Sequence, residues 1–148
     1  MKKAFIIIAA AACFCQARAE HSAWLTDLPS AMVQAKAQDK IVLLDFTGSD
    51  WCPWCIKFRK EVLDSRKFRQ YAKDYVVPVE LDFPRKKEIS DDLKKSNVAL
   101  KEKYQIKGFP TLVLLDENGK EIGRQEGYEA GGAKAFIAKI EKFKSGKS

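Results

Sequence analysis

Two cysteines three positions apart are the residues of this chain with the clearest chemistry. They lie in the run Trp51-Cys52-Pro53-Trp54-Cys55. Thiol–disulfide exchange needs a thiolate that attacks a disulfide and a second thiol that releases the mixed disulfide. At a helix N-terminus, unpaired backbone N–H groups and the helix dipole would favour the thiolate of Cys52, and Cys55 would lie on the same side one turn later. The spacing therefore predicts that Cys52 attacks and Cys55 resolves.

The same pair has two other interpretations, an inert structural disulfide or half of a metal site. A disulfide across three positions closes too short a loop to constrain the unfolded chain much, so it would add little stability. The chain has four cysteines and one histidine, whereas a structural zinc usually takes four such ligands at fixed spacing. We favour the redox interpretation and expect no metal and no other cofactor.

Other side chains near the pair could take part in the same chemistry. Asp45 ends a run of apolar residues, and burial would raise the pKa of its carboxyl, which suits a proton acceptor for Cys55. A solvated acid at a strand end is the alternative. Trp51 and Trp54 could form a flat apolar surface on which an extended substrate rests, or they could pack in the core. We expect Trp54 to be exposed and leave Trp51 open.

The segments that must position these residues alternate between helix and strand patterns. The continuous apolar run 41–46 is typical of a strand buried on both faces, and a helix is predicted from about Cys52 to Leu63 with Ile56 on its apolar side. Further strands are predicted at 76–81, 111–115 and 121–125, with a first helix near 28–38, a second helical stretch near 68–72, and a last helix near 136–143. The predicted order is α-β-α-β-α-β-β-α.

Two local patterns make finer predictions. Ser90 precedes acidic residues at the start of a predicted helix, whose buried stripe would consist of Leu93, Val98, Leu100 and Tyr104. Asn118-Gly119 lies between two predicted strands, and this dipeptide is typical of a type I′ hairpin turn.

The first 19 residues have the layout of a secretory signal peptide. Two lysines precede an uncharged run of twelve residues, 4–15, and an Ala-x-Ala pattern ends at Ala19. A membrane-spanning helix needs about 20 apolar residues, so we expect no stable membrane insertion. We predict cleavage after Ala19 and a periplasmic or secreted domain of residues 20–148. An uncleaved anchor, or lipid on Cys13 or Cys15, is the alternative.

Cleavage would leave Cys52 and Cys55 as the cysteines of the mature chain and lower its net charge from +7 to +4. The composition, 46% hydrophobic and 32% charged, excludes disordered, collagen-like and coiled-coil proteins. The basic run 85–87 has acidic neighbours and few aromatic residues, so we interpret it as a solvated loop and expect no nucleic-acid partner. We assign no role to His21.

Five features of the sequence occur together: the motif Trp51-Cys52-Pro53-Trp54-Cys55, the run Gly108-Phe109-Pro110-Thr111, the Asn118-Gly119 hairpin, the following Gly127 and the element order. In this combination the sequence resembles the thioredoxin family, in particular its exported branch. The resemblance covers about residues 24–144. It implies an α/β thioredoxin fold, with a central mixed sheet of about four strands flanked by helices and an extra N-terminal helix. It also implies an exposed Cys52, a shielded Cys55, and a cis Pro110 whose neighbour Phe109 pairs with an extended substrate.

The expected function is exchange of disulfides with protein thiols and disulfides through the Cys52–Cys55 pair. We expect a monomer that acts as reductase or isomerase, recycled by a redox partner, for which a membrane reductase is one candidate. A disulfide oxidase running the exchange the other way is an alternative. A non-catalytic binding or chaperone module that uses the aromatic surface around the cysteines is another.

Overall fold

Helices and strands alternate along the chain in a computed structural model that describes residues 24–146. The predicted signal peptide 1–19, with Cys13 and Cys15, and the residue His21 lie outside the described residues. The helices are α1 (Leu28–Gln38), α2 (Pro53–Phe58), α3 (Arg66–Tyr75), α4 (Asp91–Lys103) and α5 (Gly132–Lys144). The strands are β1 (Ile41–Thr47), β2 (Val76–Asp82), β3 (Thr111–Leu115) and β4 (Glu121–Glu126). The predicted order of elements is confirmed.

The four strands form one mixed sheet in the spatial order β2-β1-β3-β4. β1 pairs in parallel with β2 and antiparallel with β3, and β3 pairs antiparallel with β4. β1 lies inside the sheet and is buried along its whole length, because it has a strand on each side and helices on both faces. The apolar run of β1 therefore predicted its environment correctly.

Two hydrophobic clusters occupy the two faces of the sheet. One contains Val42, Leu44 and Phe46 of β1, against α1 and the end of α4. The other contains Ile41 and Leu43 of β1, against α2, α3 and α5. Successive strand residues point to opposite faces, so Asp45 belongs to the face that α2 covers.

The helix after the cysteines is not uniform. α2 ends at Phe58, and a π-helical turn, Arg59–Leu63, follows it directly. Ser65 then accepts a hydrogen bond from the backbone N–H of Phe68 and begins α3. The prediction of one helix to Leu63 therefore holds only in outline. Ile56 is 47% exposed and not buried as predicted, because its position on α2 faces away from the sheet.

The predicted buried stripe of α4 is wrong at one position. Ser90 caps α4 as predicted, but Val98 is 46% exposed and Asn97 is buried in its place. The amide Nδ2 of Asn97 donates to the carbonyl of Asp82 at the end of β2, 2.9 Å away, and this backbone group needs a donor.

The Asn118-Gly119 hairpin exists, but its turn is not type I′. Gly119 has a positive φ of 83°, whereas Asn118 does not have a positive φ. A type I′ turn requires positive φ at both central residues. The carbonyl of Asp116 instead accepts from the N–H of Gly119, and the Asp116 side chain accepts from Asn118 and Lys120. The carboxylate of Asp116 thus selects a wider turn than the dipeptide alone predicts.

Candidate active site

The two cysteines of the motif are joined in a disulfide at the start of α2. Cys52 is the residue that caps this helix, and its Sγ accepts a hydrogen bond from the backbone N–H of Cys55, 3.3 Å away. Pro53 is the first helical residue, where its missing N–H costs no helical hydrogen bond. Cys52 therefore lies at a helix N-terminus, as the sequence predicted.

The expected difference in exposure between the two cysteines is not present in the oxidised pair. Cys52 is 5% exposed and Cys55 is 3% exposed. Cys52 is covered because the Phe109 loop lies against it, with the carbonyl oxygen of Phe109 3.7 Å from Sγ. An incoming disulfide would approach beside this loop.

The Phe109–Pro110 peptide bond is cis, as the resemblance implied. Pro110 is followed directly by β3, and its carbonyl accepts from the N–H of Gly127 at the end of β4, 2.8 Å away. The Phe109 ring stacks on Phe83 with the ring centroids 5.0 Å apart. These contacts fix the loop beside Cys52, so Phe109 lies next to a residue 57 positions earlier in the chain.

The two tryptophans of the motif have different environments. Trp51 is partly buried, donates through Nε1 to the carbonyl of Phe83 at 2.8 Å, and meets the Phe109 ring edge to face. Trp54 is 55% exposed and stacks on Tyr128 with the centroids 5.3 Å apart. The expected exposure of Trp54 is confirmed. Tyr128 was not identified from the sequence, because nothing in its local sequence indicates a contact with Trp54.

The position of the Trp51 ring requires a residue without a side chain at Gly48. A Cβ atom on Gly48 would lie 2.6–2.8 Å from atoms of the Trp51 indole, closer than real contacts allow. Gly48 therefore permits the ring to fold back over the loop that leads into Cys52.

Asp45 is almost completely buried, with 2% of its surface exposed, and β1 continues beyond it to Thr47. A solvated strand-end acid is therefore ruled out. Burial raises the pKa of Asp45 to about 7, the nearby Arg59 guanidinium lowers it, and the Asp82 carboxylate raises it. A carboxyl that titrates near neutral pH can both accept and return a proton.

Arg59 connects α2 to this acid. It follows Cys55 by one helical turn, forms an ion pair with Glu80, and its guanidinium lies 4.4 Å from the centroid of the Trp24 ring. Glu80 is the β2 residue paired with Asp45 in the parallel register. Trp24 thus packs against the active-site side of the sheet.

The residues before Cys52 hold the loop after β2. The Asp50 carboxylate accepts from the backbone N–H groups of Arg85, Lys86 and Lys87, which lowers the pKa of Asp50 to about 2. Asp82 accepts from both the N–H and the hydroxyl of Ser49 and pairs with Lys87 at 2.8 Å. No feature of the sequence indicated the hydrogen bonds of Asp50 and Ser49, which join positions more than 30 residues apart.

Within residues 24–146, no group of three or more His, Cys, Asp and Glu side chains is arranged to hold a metal ion. In the same residues no helix has the length and apolar character needed to cross a membrane.

Comparison with known proteins gives the family. The thioredoxin-like domain matches residues 28–144. The protein named "Disulfide bond reductase DsbH" of Chlamydia pneumoniae is 40% identical over 110 residues, which are 74% of this chain and 66% of that protein. "Thioredoxin-related protein DsbJ" of the same organism is 34% identical over 101 residues, 68% of this chain and 29% of that protein.

A solved structure titled "DsbH Oxidoreductase" has a TM-score of 0.73 and 36% sequence identity, over 90% of this chain and 94% of that one. The chain spans just under two thirds of the first curated relative and less than a third of the second. The match over residues 28–144 includes both cysteines and the cis-proline loop, so the chain belongs to the thioredoxin-like domain family.

Proposed function

We propose that the chain reduces disulfides in protein substrates by thiol–disulfide exchange through Cys52 and Cys55. The observation that carries the proposal is the Cys52–Cys55 disulfide at the start of α2, with Cys52 Sγ 3.7 Å from the carbonyl of Phe109. The name of the relative DsbH, a disulfide bond reductase, supports reduction as the net direction.

In the reduced enzyme, the Cys52 thiolate attacks one sulfur of the substrate disulfide. A bond forms between Cys52 and that sulfur, the substrate S–S bond breaks, and the departing thiolate takes a proton from water. The Asp45 carboxylate accepts the proton of Cys55, whose sulfur then attacks Cys52 Sγ and breaks the mixed disulfide. The second substrate thiolate leaves and takes the proton that Asp45 had accepted. The substrate gains two electrons and two protons, and the enzyme keeps the Cys52–Cys55 disulfide.

The surroundings of the pair supply the other roles. The backbone of Phe109, next to cis Pro110, lies where an extended substrate could pair with it. Trp51 and Trp54 provide apolar surface on either side of Cys52, and Tyr128 extends the exposed part. We propose these four groups as the substrate-binding surface.

Turnover requires a second protein that returns two electrons to the Cys52–Cys55 disulfide, and a membrane reductase is our candidate class. We propose that the chain is exported, that cleavage after Ala19 releases a domain of residues 20–148, and that this domain is a periplasmic or secreted monomer. The layout of residues 1–19 supports export.

Single cysteine variants test the roles of the two thiols. We expect Cys52→Ser to abolish reduction of an insulin-type disulfide and Cys55→Ser to accumulate mixed disulfides with substrates, because the attacking thiol remains and the resolving thiol is lost. Non-reducing gels with mass spectrometry measure the trapped species, and the double variant is the control that traps nothing. Trapping by Cys52→Ser in place of Cys55→Ser would reverse the roles.

The exposed Trp54–Tyr128 surface favours one second candidate, a binding or chaperone module that needs no exchange. The same experiment separates the two functions. A Cys52→Ser protein that still protects or refolds substrates as well as the wild type does would support the binding module over the reductase.

A further inference from the structure

The segment after β2, residues 83–89, is attached to the segment that leads into Cys52. We call it the 83–89 loop. The N–H of Phe83 donates to the carbonyl of Thr47 at 2.9 Å, and the Phe83 carbonyl accepts from Trp51. The Asp50 carboxylate binds three consecutive N–H groups of the loop at 2.7–3.0 Å. Because these contacts join both sides, the 83–89 loop is a fixed wall of the active site.

A cavity of about 440 Å³ lies between this loop and α4. This volume is within the range of sites that take small molecules or a few side chains. Phe83, Pro84, Ile89 and Val98 supply its apolar lining. The Phe83 ring stacks on Phe109, and the Phe109 carbonyl contacts Cys52, so Phe83 and Phe109 connect the cavity to the active site.

Asn97 holds the wall of this cavity on the side of α4. It is 1% exposed, and its Nδ2 donates to the Asp82 carbonyl, which fixes the orientation of the amide. This hydrogen bond joins α4 to the end of β2, so the cavity has a fixed wall on both sides.

The charges beside the cavity favour an acidic occupant. The carboxylates of Asp50 and Asp82 are bound by the loop and by Ser49 and Lys87. Arg85 lies over the Trp51 ring, 3.7 Å from its centroid, and neither Arg85 nor Lys86 has a carboxylate within 4 Å in the described part of the chain. The lining itself contains three cations, Arg85, Lys87 and Lys94, and two acids, Asp82 and Glu88, and Lys86 is the loop residue next to Arg85.

We propose that this cavity binds an extended acidic segment of the protein substrate, next to the disulfide that Cys52 attacks. An apolar side chain of the segment rests against Phe83 and Ile89, and acidic side chains contact Arg85 and Lys86. The proposal rests on the proposed function, since it assigns a specificity subsite to the same reaction.

Two disulfide-bonded peptides that differ only in flanking residues test it, one with glutamates and one with lysines on the same side of the cysteine. We expect the wild type to reduce the glutamate peptide with a kcat/KM about threefold to tenfold higher, as expected for a few exposed charge pairs. The preference should fall with added salt. The Arg85→Gln/Lys86→Gln variant should lose it, and Lys86→Gln alone should lose part while keeping the contact of Arg85 with Trp51.

The control variant is Lys67→Gln/Lys134→Gln, which removes the same charge from exposed positions on α3 and α5 and should keep the preference. If the wild type reduces neither peptide, the proposed function fails. If it reduces both peptides equally, or if the control variant loses the preference as much as the loop variant does, the subsite proposal alone fails.

A binding measurement without exchange locates the subsite. A cysteine-free peptide with the glutamate flank is titrated into the oxidised protein by heteronuclear NMR. We expect saturable shifts in the 83–89 loop and in the side-chain amide of Asn97. Shifts confined to Trp54 and Tyr128, or equal competition by a DNA oligonucleotide of the same charge, would overturn the proposal.

Discussion

At the scale of the residue, Asp45 is the buried acid that we propose as the proton acceptor for Cys55. Its side chain is buried against the face of α2, and its pKa is raised to about 7 from an ordinary value of 3.8. Burial is the largest cause, because a charged carboxylate loses its hydration inside the protein. An acid with such a pKa exists in both forms near neutral pH, which proton transfer to and from Cys55 requires.

The raised pKa predicts a pH-dependent stability. Below about pH 4, Asp45 is protonated in both the folded and the unfolded chain, and its full contribution is present. Between about pH 4 and 7 only the unfolded chain releases the proton, so the free energy of unfolding falls as pH rises through the folded pKa. Asp45→Asn lacks this titration. We expect its stability relative to the wild type to rise by on the order of 3–4 kcal/mol between pH 4 and 8.

Urea unfolding of the two oxidised proteins across this pH range measures the difference. Asp82, whose pKa is lowered, has the opposite dependence but is present in both proteins, so its direct effect cancels. Parallel pH profiles for the wild type and Asp45→Asn would mean that Asp45 does not titrate in this range.

In exchange assays, we expect Asp45→Asn to slow release of the mixed disulfide while Cys52 still attacks.

At the scale of the element, the charges after Cys52 lead us to expect only moderate stabilisation of its thiolate. Two of the basic residues that follow are engaged elsewhere, since Arg59 pairs with Glu80 and the Lys57 ammonium lies 4.8 Å from the centroid of the Tyr128 ring. No histidine lies between the cysteines. Strong oxidants depend on an unusually stabilised reduced form, and we identify no charge arrangement here that would supply it.

We therefore predict a reduction potential between about −270 mV and about −180 mV, the values of thioredoxin and protein disulfide isomerase. Equilibration with glutathione buffers, followed by tryptophan fluorescence, measures it. Because about 30 mV corresponds to 1.4 kcal/mol for two electrons, the experiment resolves small differences in thiolate stability. A potential near about −120 mV would contradict the reductase and support the oxidase.

Sequence patterns predicted elements better than they predicted contacts between elements. The apolar run of β1 and the cap at Ser90 depend on neighbours along the chain, and both are correct. The predicted burial of Val98 is wrong because Asn97 is buried instead, where its amide donates to the Asp82 carbonyl of β2. In the same way, Cys52 and Cys55 could be found from their spacing, whereas the bonds from Asp50 to the 83–89 loop could not, since they join residues 35–37 positions apart.

At the scale of the whole molecule, the described elements begin with the bridge at Leu25. Leu25 forms two backbone hydrogen bonds with β2. Its N–H donates to the carbonyl of Pro78, and its carbonyl accepts from the N–H of Glu80. A chain cleaved after Ala19 would keep every described element. We expect the protein exported by a bacterial host to begin at Glu20, as its intact mass would show. A mass that retains residues 1–19, or that includes lipid on Cys13 or Cys15, would contradict the predicted cleavage.

The bridge at Leu25 also bears on self-association. An edge strand with free N–H groups can recruit a strand from another molecule and seed aggregates. Along the outer edge of β2, Val76 donates to Ala72, Pro78 has no N–H, and Glu80 donates to Leu25. At the opposite edge, β4 has the charged residues Glu121, Arg124 and Glu126, which disfavour such pairing. Both edges of the sheet are therefore protected from intermolecular strand addition, which would keep the proposed reductase from aggregating with the extended protein substrates that it binds.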